Sequence, residues 1–180
     1  MSNTLADKRA VRIIFVNCIT GIRVILIPFF ILSEMEKNYI SSLSLVIVML
    51  ATDIADGFFA RKLDAVSSLG GVFDNLADFA VVFSLFTFFS LEKVLSAAIP
   101  AAILVSFSVY SINCLTRVKI VYTKFGRATG FICMLILAIV CTGRVFLPAC
   151  VGLISLPLTL FFIAYFGLSA IENIIYIIRR

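Results

Sequence analysis

Histidine is missing from this chain of 180 residues. Its absence removes the usual general base at neutral pH and the commonest ligand of transition metals in proteins. The five cysteines are an odd number, and no two of them have the Cys-x-x-Cys spacing of a zinc or redox centre. Any metal bound here must therefore be a hard ion held by oxygen ligands.

Charge is also scarce, since only 14% of the residues are charged and 62% are hydrophobic. This hydrophobic share is well above the roughly 45–50% of a soluble domain. The mean hydropathy of the chain is +1.16. Basic patches with interleaved aromatic residues are lacking, so the chain gives no support to nucleic-acid binding. The composition indicates an integral membrane protein.

What the chain has in quantity is long apolar runs. Each run is close to the ~20 residues that cross a hydrocarbon core as a helix. The runs are 13–32, 40–60, 71–91, 94–115, 130–146 and 151–178. The sequence therefore predicts an all-α, polytopic membrane protein with six transmembrane helices and a single domain over residues 1–180.

Basic residues concentrate on one side of the predicted membrane, and positively charged loops near span ends stay in the cytoplasm. The polar start of the chain, its end and the loops after the second and fourth runs carry most of them, whereas Lys37, Lys93 and Arg144 fall on the other side. We therefore expect both termini to be cytoplasmic. The apolar run after the polar start is too long for a signal-peptide core, so we expect no cleaved signal.

Four aspartates interrupt the apolar runs, with Asp53 and Asp56 late in the second run and Asp74 and Asp78 early in the third. Each costs about 2.5–3.5 kcal/mol at the bilayer centre if left bare. Spacings of three and four residues place each pair on one face of its helix. A short hairpin between the two helices would then point all four carboxylates at one cavity.

Two further features border this cavity. Gly57, Ala60 and Gly70 are small, which lets transmembrane backbones approach closely and leaves room for a ligand. The segment 116–129, on the cytoplasmic side, holds four basic residues and is a candidate anion site.

Four carboxylates without histidine or cysteine suit Mg²⁺ or Mn²⁺, and two divalent ions would balance their charge. Two ions about 3.5–4 Å apart are a common clamp for phosphoryl transfer. Intramembrane aspartates also mark ion pathways, so a cation transporter is an alternative on these residues alone. A purely structural ion-pair cluster is another, for which we expect only Arg61 and Lys62 to lie close enough to pair.

The spacing of the aspartates is specific. Residues 53–78 carry the pattern Asp-x2-Asp-Gly-x2-Ala-Arg-x8-Gly-x3-Asp-x3-Asp, which resembles the signature of the CDP-alcohol phosphatidyltransferase family at all eight fixed positions. A chance match is on the order of 10⁻¹⁰ per starting position. The resemblance implies the transfer of a substituted phosphate from a CDP-linked donor, usually CDP-diacylglycerol, to an alcohol, with release of CMP.

Roles for individual residues follow from this resemblance. Asp53, Asp56 and Asp74 look like ligands of two Mg²⁺ or Mn²⁺ ions, with Asp53 and Asp74 shared between them. Asp78 resembles the residue that both contacts a metal and acts as catalytic base. The positions that match the binding site of the CDP-lipid are Gly57, Ala60, Arg61, Ser67 and Gly70, of which Arg61 can fork onto the pyrophosphate.

An earlier segment, residues 17–28, resembles the Pro-Asn-x2-Thr-x2-Arg stretch of the phosphatidylglycerophosphate synthases in this family. By that resemblance Asn17 and Thr20 hydrogen-bond the nucleotide, and an interhelical polar contact is the alternative for both. Arg23 lies inside the first span, and we expect it to pair with an acid or a phosphate.

The match to those synthases has three departures. Val16 replaces the usual proline, Asn75 stands where they commonly have proline, and Phe79 stands where they commonly have lysine. Glycerol 3-phosphate is the leading acceptor, and a phosphatidylserine or phosphatidylinositol-phosphate synthase of the same family is the alternative.

A phosphate on the acceptor needs cationic partners near Asp78. The basic cluster on that side consists of Arg117, Lys119, Lys124 and Arg127, for which a solvated positive loop is the alternative. The family resemblance further implies a homodimer. The distribution of basic residues and the position of the aspartates near the cytoplasmic ends of their runs predict a cell-membrane protein whose active site faces the cytoplasm.

Overall fold

Six α-helices account for nearly all of the chain that the computed structural model describes, which comprises residues 2–62, 68–117 and 124–178. Side chains are described at 18–55, 58, 70–112, 129–148 and 151–175. The helices are α1 (Ser2–Met35), α2 (Tyr39–Lys62), α3 (Ser68–Leu91), α4 (Ala98–Arg117), α5 (Lys124–Phe146) and α6 (Pro148–Ile178). The prediction of an all-α chain with six helices is confirmed.

Four of these helices are long and apolar enough to cross a membrane. Within the described residues these candidate spans are Cys18–Met35, Gly70–Leu91, Thr129–Phe146 and Val151–Ile175. The apolar parts of α2 and α4, Tyr39–Ala55 and Ala98–Ile112, are shorter. Large apolar side chains such as Ile25, Leu153 and Leu160 are exposed, as expected where lipid is the solvent. The chain is a multi-pass membrane protein.

Three helices, α1, α4 and α5, begin four or more residues away from the predicted apolar runs, and α5 begins at Lys124 rather than at residue 130. α1 begins at Ser2, well before residue 13, because its polar first turns contain no glycine or proline that would interrupt a helix. α4 begins at Ala98 rather than at residue 94. The cause is a cap, since Ser96 Oγ accepts a hydrogen bond from the Ala98 N–H at 3.3 Å.

α1 and α3 end in the same way. Lys37 and Lys93 follow these helices in the left-handed region, with φ of 57° and 58°. After α1, the Asn38 N–H donates to the Ser33 carbonyl at 2.9 Å and the Lys37 N–H donates to the Glu34 carbonyl at 3.0 Å. The same pair of bonds follows α3. This Schellman motif satisfies helix-terminal carbonyls and turns the chain sharply.

Asn38 joins α1 to α2 within a very short turn. Its side-chain oxygen accepts a hydrogen bond from the Ser41 N–H at 3.3 Å, and its carbonyl accepts one from the Ser42 N–H at 3.1 Å. Asn38 is therefore the N-cap of α2. α1 and α2 pack against each other as a helical hairpin.

The chain divides into two compact units, Met1–Val81 and Val82–Arg180. In the first unit, Ser42, Val46 and Met49 are fully buried at spacings of three and four residues, so one face of α2 points inward.

In the second unit, α6 packs against α4 and α5. Phe162 contacts Phe86 edge to face, with ring centroids 5.0 Å apart, and stacks on Phe166 at 5.5 Å. These aromatic pairs lie at the centre of a core that also buries Cys133 and Leu137.

Several hydroxyl groups inside the helices are satisfied within their own helix. The hydroxyls of Thr52, Ser108 and Thr142 donate to the carbonyl four residues earlier at 3.0, 2.8 and 2.7 Å. A hydroxyl bonded in this way needs no partner from water, so it is tolerated in lipid.

The left-handed turn after α3 predicts an unusual stabilising substitution. We expect Lys93→Gly to raise the free energy of unfolding by about 1 kcal/mol, because glycine adopts positive φ without the steric cost of a Cβ. Lys93→Ala keeps the Cβ and should leave stability near that of the parent. Thermal unfolding in detergent micelles measures both variants, and equal stability of the two would contradict the left-handed turn.

Candidate active site

A buried arginine contacts three carboxylates in the first unit. Arg23 is the largest fully buried side chain among the described residues. Its Nη1 donates a hydrogen bond to Asp53 Oδ1 at 2.5 Å and another to Asp78 Oδ1. Its Nη2 donates to Asp74 Oδ1 at 2.7 Å. One guanidinium therefore holds carboxylates from two helices together, and these bonds compensate for its removal from water.

α1 and α2 bring Arg23 and Asp53 together because both lie on inward faces. Thr20, one turn before Arg23, is also buried. Asp53 lies four residues after Met49 and so continues the buried stripe of α2. The same helical period that buries apolar residues in this unit delivers the two opposite charges to one point.

α3 supplies the other two carboxylates. Asp74 and Asp78 are four residues apart and so lie on one face of the helix. Ala77 and Val81 are buried beside them, at 3% and 1% exposure.

The carboxylates are more accessible than the cation that holds them. The Arg23 side chain is 2% exposed, whereas Asp53, Asp78 and Asp74 are 21%, 30% and 46% exposed. The cluster is therefore closed on the side of Arg23 and most open at Asp74. Ligands therefore have access to the carboxylates from the side opposite Arg23.

Arg23 corrects our expectation about ion pairing. We predicted that only Arg61 and Lys62 would lie close enough to pair with the aspartates, and this was wrong. The expectation that Arg23 pairs with an acid is confirmed. The pairing is tertiary, with 30 to 55 residues between the partners, so cations close in sequence were a poor guide.

Asp53, Asp74 and Asp78 have the geometry of a metal-binding group. Each offers a carboxylate oxygen, and these oxygens all lie within 4.8 Å of one another. Two oxygens bound to one Mg²⁺ at about 2.1 Å lie at most about 4.2 Å apart. Small side-chain rotations are enough to close the group, and hard oxygen donors are what Mg²⁺ and Mn²⁺ prefer. The residues present therefore fit such an ion.

Other residues of the predicted motif lie on the same two helices. Asp56, Gly57, Ala60 and Arg61 belong to α2, but their side chains lie outside the described residues. Gly70 lies in the first turn of α3 and is partly exposed. Whether Asp56 joins the other three aspartates therefore stays a prediction.

The predicted contacts to the nucleotide and acceptor fall largely outside the described side chains. Ser67 and Lys119 lie outside the described residues altogether. Residues that belong to helices, but without described side chains, are Asn17 on α1, Arg117 at the end of α4, and Lys124 and Arg127 at the start of α5. Thr20 is the described member of the nucleotide set that lies next to the cluster.

The helices that carry the aspartates lie in a region with known relatives. Residues 13–165 match the CDP-alcohol phosphatidyltransferase family. This match covers most of the chain, and the chain belongs to this family of membrane enzymes. The CDP-diacylglycerol--glycerol-3-phosphate 3-phosphatidyltransferase of Aquifex aeolicus (strain VF5) is 44% identical over 75 residues, which are 42% of this chain and 39% of that protein. The similarity thus spans about two fifths of the curated relative.

The Arg23 contacts predict energetic coupling between α1 and α2. In the presence of EDTA, we expect Arg23→Gln and Asp53→Asn to be coupled by about 1–3 kcal/mol in a double-mutant cycle, because each removes the same ion pair. Denaturant unfolding in micelles measures the cycle. Lys37→Gln, which removes a cation from the turn after α1, should be additive with Asp53→Asn. Additivity of the Arg23 pair would contradict the contact.

Proposed function

We propose that this protein synthesises phospholipid by transferring the phosphatidyl group of CDP-diacylglycerol to an alcohol, with release of CMP. The observation that carries the proposal is the convergence of Asp53, Asp74 and Asp78 on one point. These are motif positions of the family to which the chain belongs. Family membership supports a transferase over the alternative of a cation transporter.

The proposal assigns four aspartates to two divalent ions. Asp53, Asp56, Asp74 and Asp78 would hold Mg²⁺ or Mn²⁺, with Asp53 and Asp74 shared. When bound, the ions supply positive charge that offsets the negative charge developing on the leaving CMP. Four carboxylates match two divalent ions in charge, which supports the proposed number.

The reaction is a single displacement in which Asp78 is the base. Asp78 takes the proton of the acceptor hydroxyl, and the hydroxyl oxygen forms a bond to the phosphorus that carries the diacylglycerol. The bond from that phosphorus to the CMP oxygen breaks, and CMP leaves with the electron pair. The partial exposure of Asp78 supports this role, because a base must reach the substrate.

Donor binding is assigned to the residues around the carboxylates. Gly57, Ala60 and Gly70 leave room for the nucleotide, and Arg61 pairs with its pyrophosphate. The residues assigned to hydrogen bonds with the nucleotide are Asn17, Thr20 and Ser67. Thr20 lies one helical turn before Arg23, and this proximity to the carboxylates supports its assignment.

Glycerol 3-phosphate is the proposed acceptor. The similar protein of Aquifex aeolicus has glycerol 3-phosphate in its name. An acceptor with a phosphate group also gives a role to the basic residues assigned to it, which are Arg117, Lys119, Lys124 and Arg127.

The proposed setting is a homodimer in the cell membrane, each chain a single domain that crosses six times. Both termini and the active site face the cytoplasm. The distribution of basic residues along the chain supports this orientation, and the family resemblance supports the dimer.

A direct assay tests the proposed reaction. The purified protein in mixed micelles is given labelled CDP-diacylglycerol, Mg²⁺ and either glycerol 3-phosphate, serine or inositol phosphate. We expect release of CMP and a labelled phospholipid with glycerol 3-phosphate, and neither when the metal is chelated. Turnover with serine or inositol phosphate alone would reassign the acceptor, and no turnover with any of them would reject the transferase.

The role of Asp78 predicts a specific kinetic defect. We expect Asp78→Asn to lower turnover by about 100-fold or more, the loss typical of a missing general base. Binding of the CDP-lipid, measured by titration calorimetry, should persist because the other carboxylates remain. Glu36→Gln removes a carboxylate from the exposed turn after α1 and should keep parental turnover. Parental turnover in Asp78→Asn would exclude Asp78 as the base.

A further inference from the structure

The guanidinium of Arg23 fills the space between the three carboxylates of the candidate metal group. Its Nη1 lies between Asp53 and Asp78, and its Nη2 lies against Asp74. These are the same three side chains whose oxygens come within 4.8 Å of one another. The natural partner of the carboxylates within the protein is thus a cation that the chain itself supplies.

A divalent ion and this guanidinium cannot share the position. An ion bound by all three carboxylates lies about 2.1 Å from their oxygens, in the space between them. The Arg23 nitrogens already lie in that space, at 2.5 Å from Asp53 and 2.7 Å from Asp74. Two cations in contact also repel strongly where water is scarce. Binding of the ion through the Oδ1 atoms that Arg23 contacts therefore requires that Arg23 move.

Charge and accessibility favour an exchange of one cation for another. One arginine against three aspartates leaves the described cluster with a formal charge of −2 (+1 from Arg23 and −3 from the carboxylates). This excess attracts a further cation. The carboxylates are 21–46% exposed while Arg23 is 2% exposed, so an ion has access to the oxygens from the side opposite the arginine.

We propose that Arg23 is a resident counter-cation that a divalent metal ion must displace, and that it thereby weakens the affinity of the site for metal. This inference rests on the proposed function only in taking the transferase metals as the incoming ions. Arg23 is a positioning residue in this scheme, since it holds the carboxylates in place until the metal binds.

Metal binding measured without nucleotide tests the displacement. The probe is Mn²⁺, whose free concentration is followed by electron paramagnetic resonance while it is added to the purified protein. We expect Arg23→Gln to lower the Kd for Mn²⁺ by about tenfold or more, because the ion no longer has to break charge-assisted hydrogen bonds. An unchanged or higher Kd would overturn the proposal. An unchanged Kd for Mn²⁺ is what we would expect if Arg23 contacted only CDP-diacylglycerol and not the metal site.

A variant that keeps the positive charge at this position provides a second test. Arg23→Lys retains the charge, but its ammonium group has one nitrogen where the guanidinium uses two to contact the three carboxylates. The Kd of this variant for Mn²⁺ should therefore lie between those of the parent and Arg23→Gln. If Arg23→Gln cannot be purified, Arg23→Lys carries the test, and a Kd no lower than that of the parent would overturn the proposal.

The matched control is Arg144→Gln. Arg144 lies over the ring of Phe89, 5.6 Å from its centroid, and its loss changes the net charge by the same amount. Its Kd for Mn²⁺ should equal that of the parent. If Arg144→Gln and Arg23→Gln lowered the Kd for Mn²⁺ equally, the cause would be the change in net charge, and the proposed displacement would be overturned.

The binding experiment separates this inference from the proposed reaction. Metal-dependent release of CMP by the parent, without tighter Mn²⁺ binding in Arg23→Gln, rejects the displacement alone. Tighter Mn²⁺ binding in Arg23→Gln, without release of CMP by the parent, supports the displacement and rejects the transferase alone.

Discussion

A guanidinium buried among carboxylates fixes the arrangement of the first three helices. A bare charge is costly inside a membrane, and Arg23 and its three partners offset one another only when all four side chains meet. Successive residues in a helix point about 100° apart. A shift of one residue in α1, α2 or α3 would therefore separate the charges, which makes the register of these helices specific.

The groups that satisfy this constraint are also those on which the proposed chemistry depends. A carboxylate that is completely neutralised by its neighbours is a poor base and a poor metal ligand. The cluster avoids this because its carboxylates are partly exposed and outnumber the arginine. The same residues thus contribute to stability and to the proposed activity. Stronger hydrogen bonds from Arg23 stabilise the fold but make the aspartates less available to a metal ion or a substrate.

Much of the fold could be predicted because lipid demands long apolar helices, and hydropathy detects these directly. The boundaries depend on other forces. Ser96 starts α4 through one side-chain hydrogen bond, and α1 extends to Ser2 over polar residues that a search for apolar runs passes over. The convergence of Asp53, Asp74 and Asp78 followed from spacing together with the expected hairpin, because helical periodicity puts Asp74 and Asp78 on one face of α3 and a short hairpin turns that face toward α2.

Arg23 was expected to pair with an acid, but Asp53, Asp74 and Asp78 were not identified as its partners from the sequence because their meeting depends on tertiary packing. A signal was nevertheless present. Asp53 lies nine residues before the end of α2, and Asp78 lies ten residues after the start of α3, about 13–15 Å along each helix. Arg23 lies ten residues into the apolar run that starts at residue 13. Counting depth in this way places the opposite charges at one level of the membrane.

The long separation in sequence between Arg23 and its partners bears on how the protein enters the membrane. Synthesis produces Arg23 30 residues before Asp53 and 55 before Asp78. Until α2 and α3 have joined α1 in the bilayer, the arginine costs about 2.5–3.5 kcal/mol in lipid, because the carboxylates that neutralise it are not yet beside it. The apolar residues of the candidate span Cys18–Met35 have to offset this cost until the carboxylates of α2 and α3 reach Arg23.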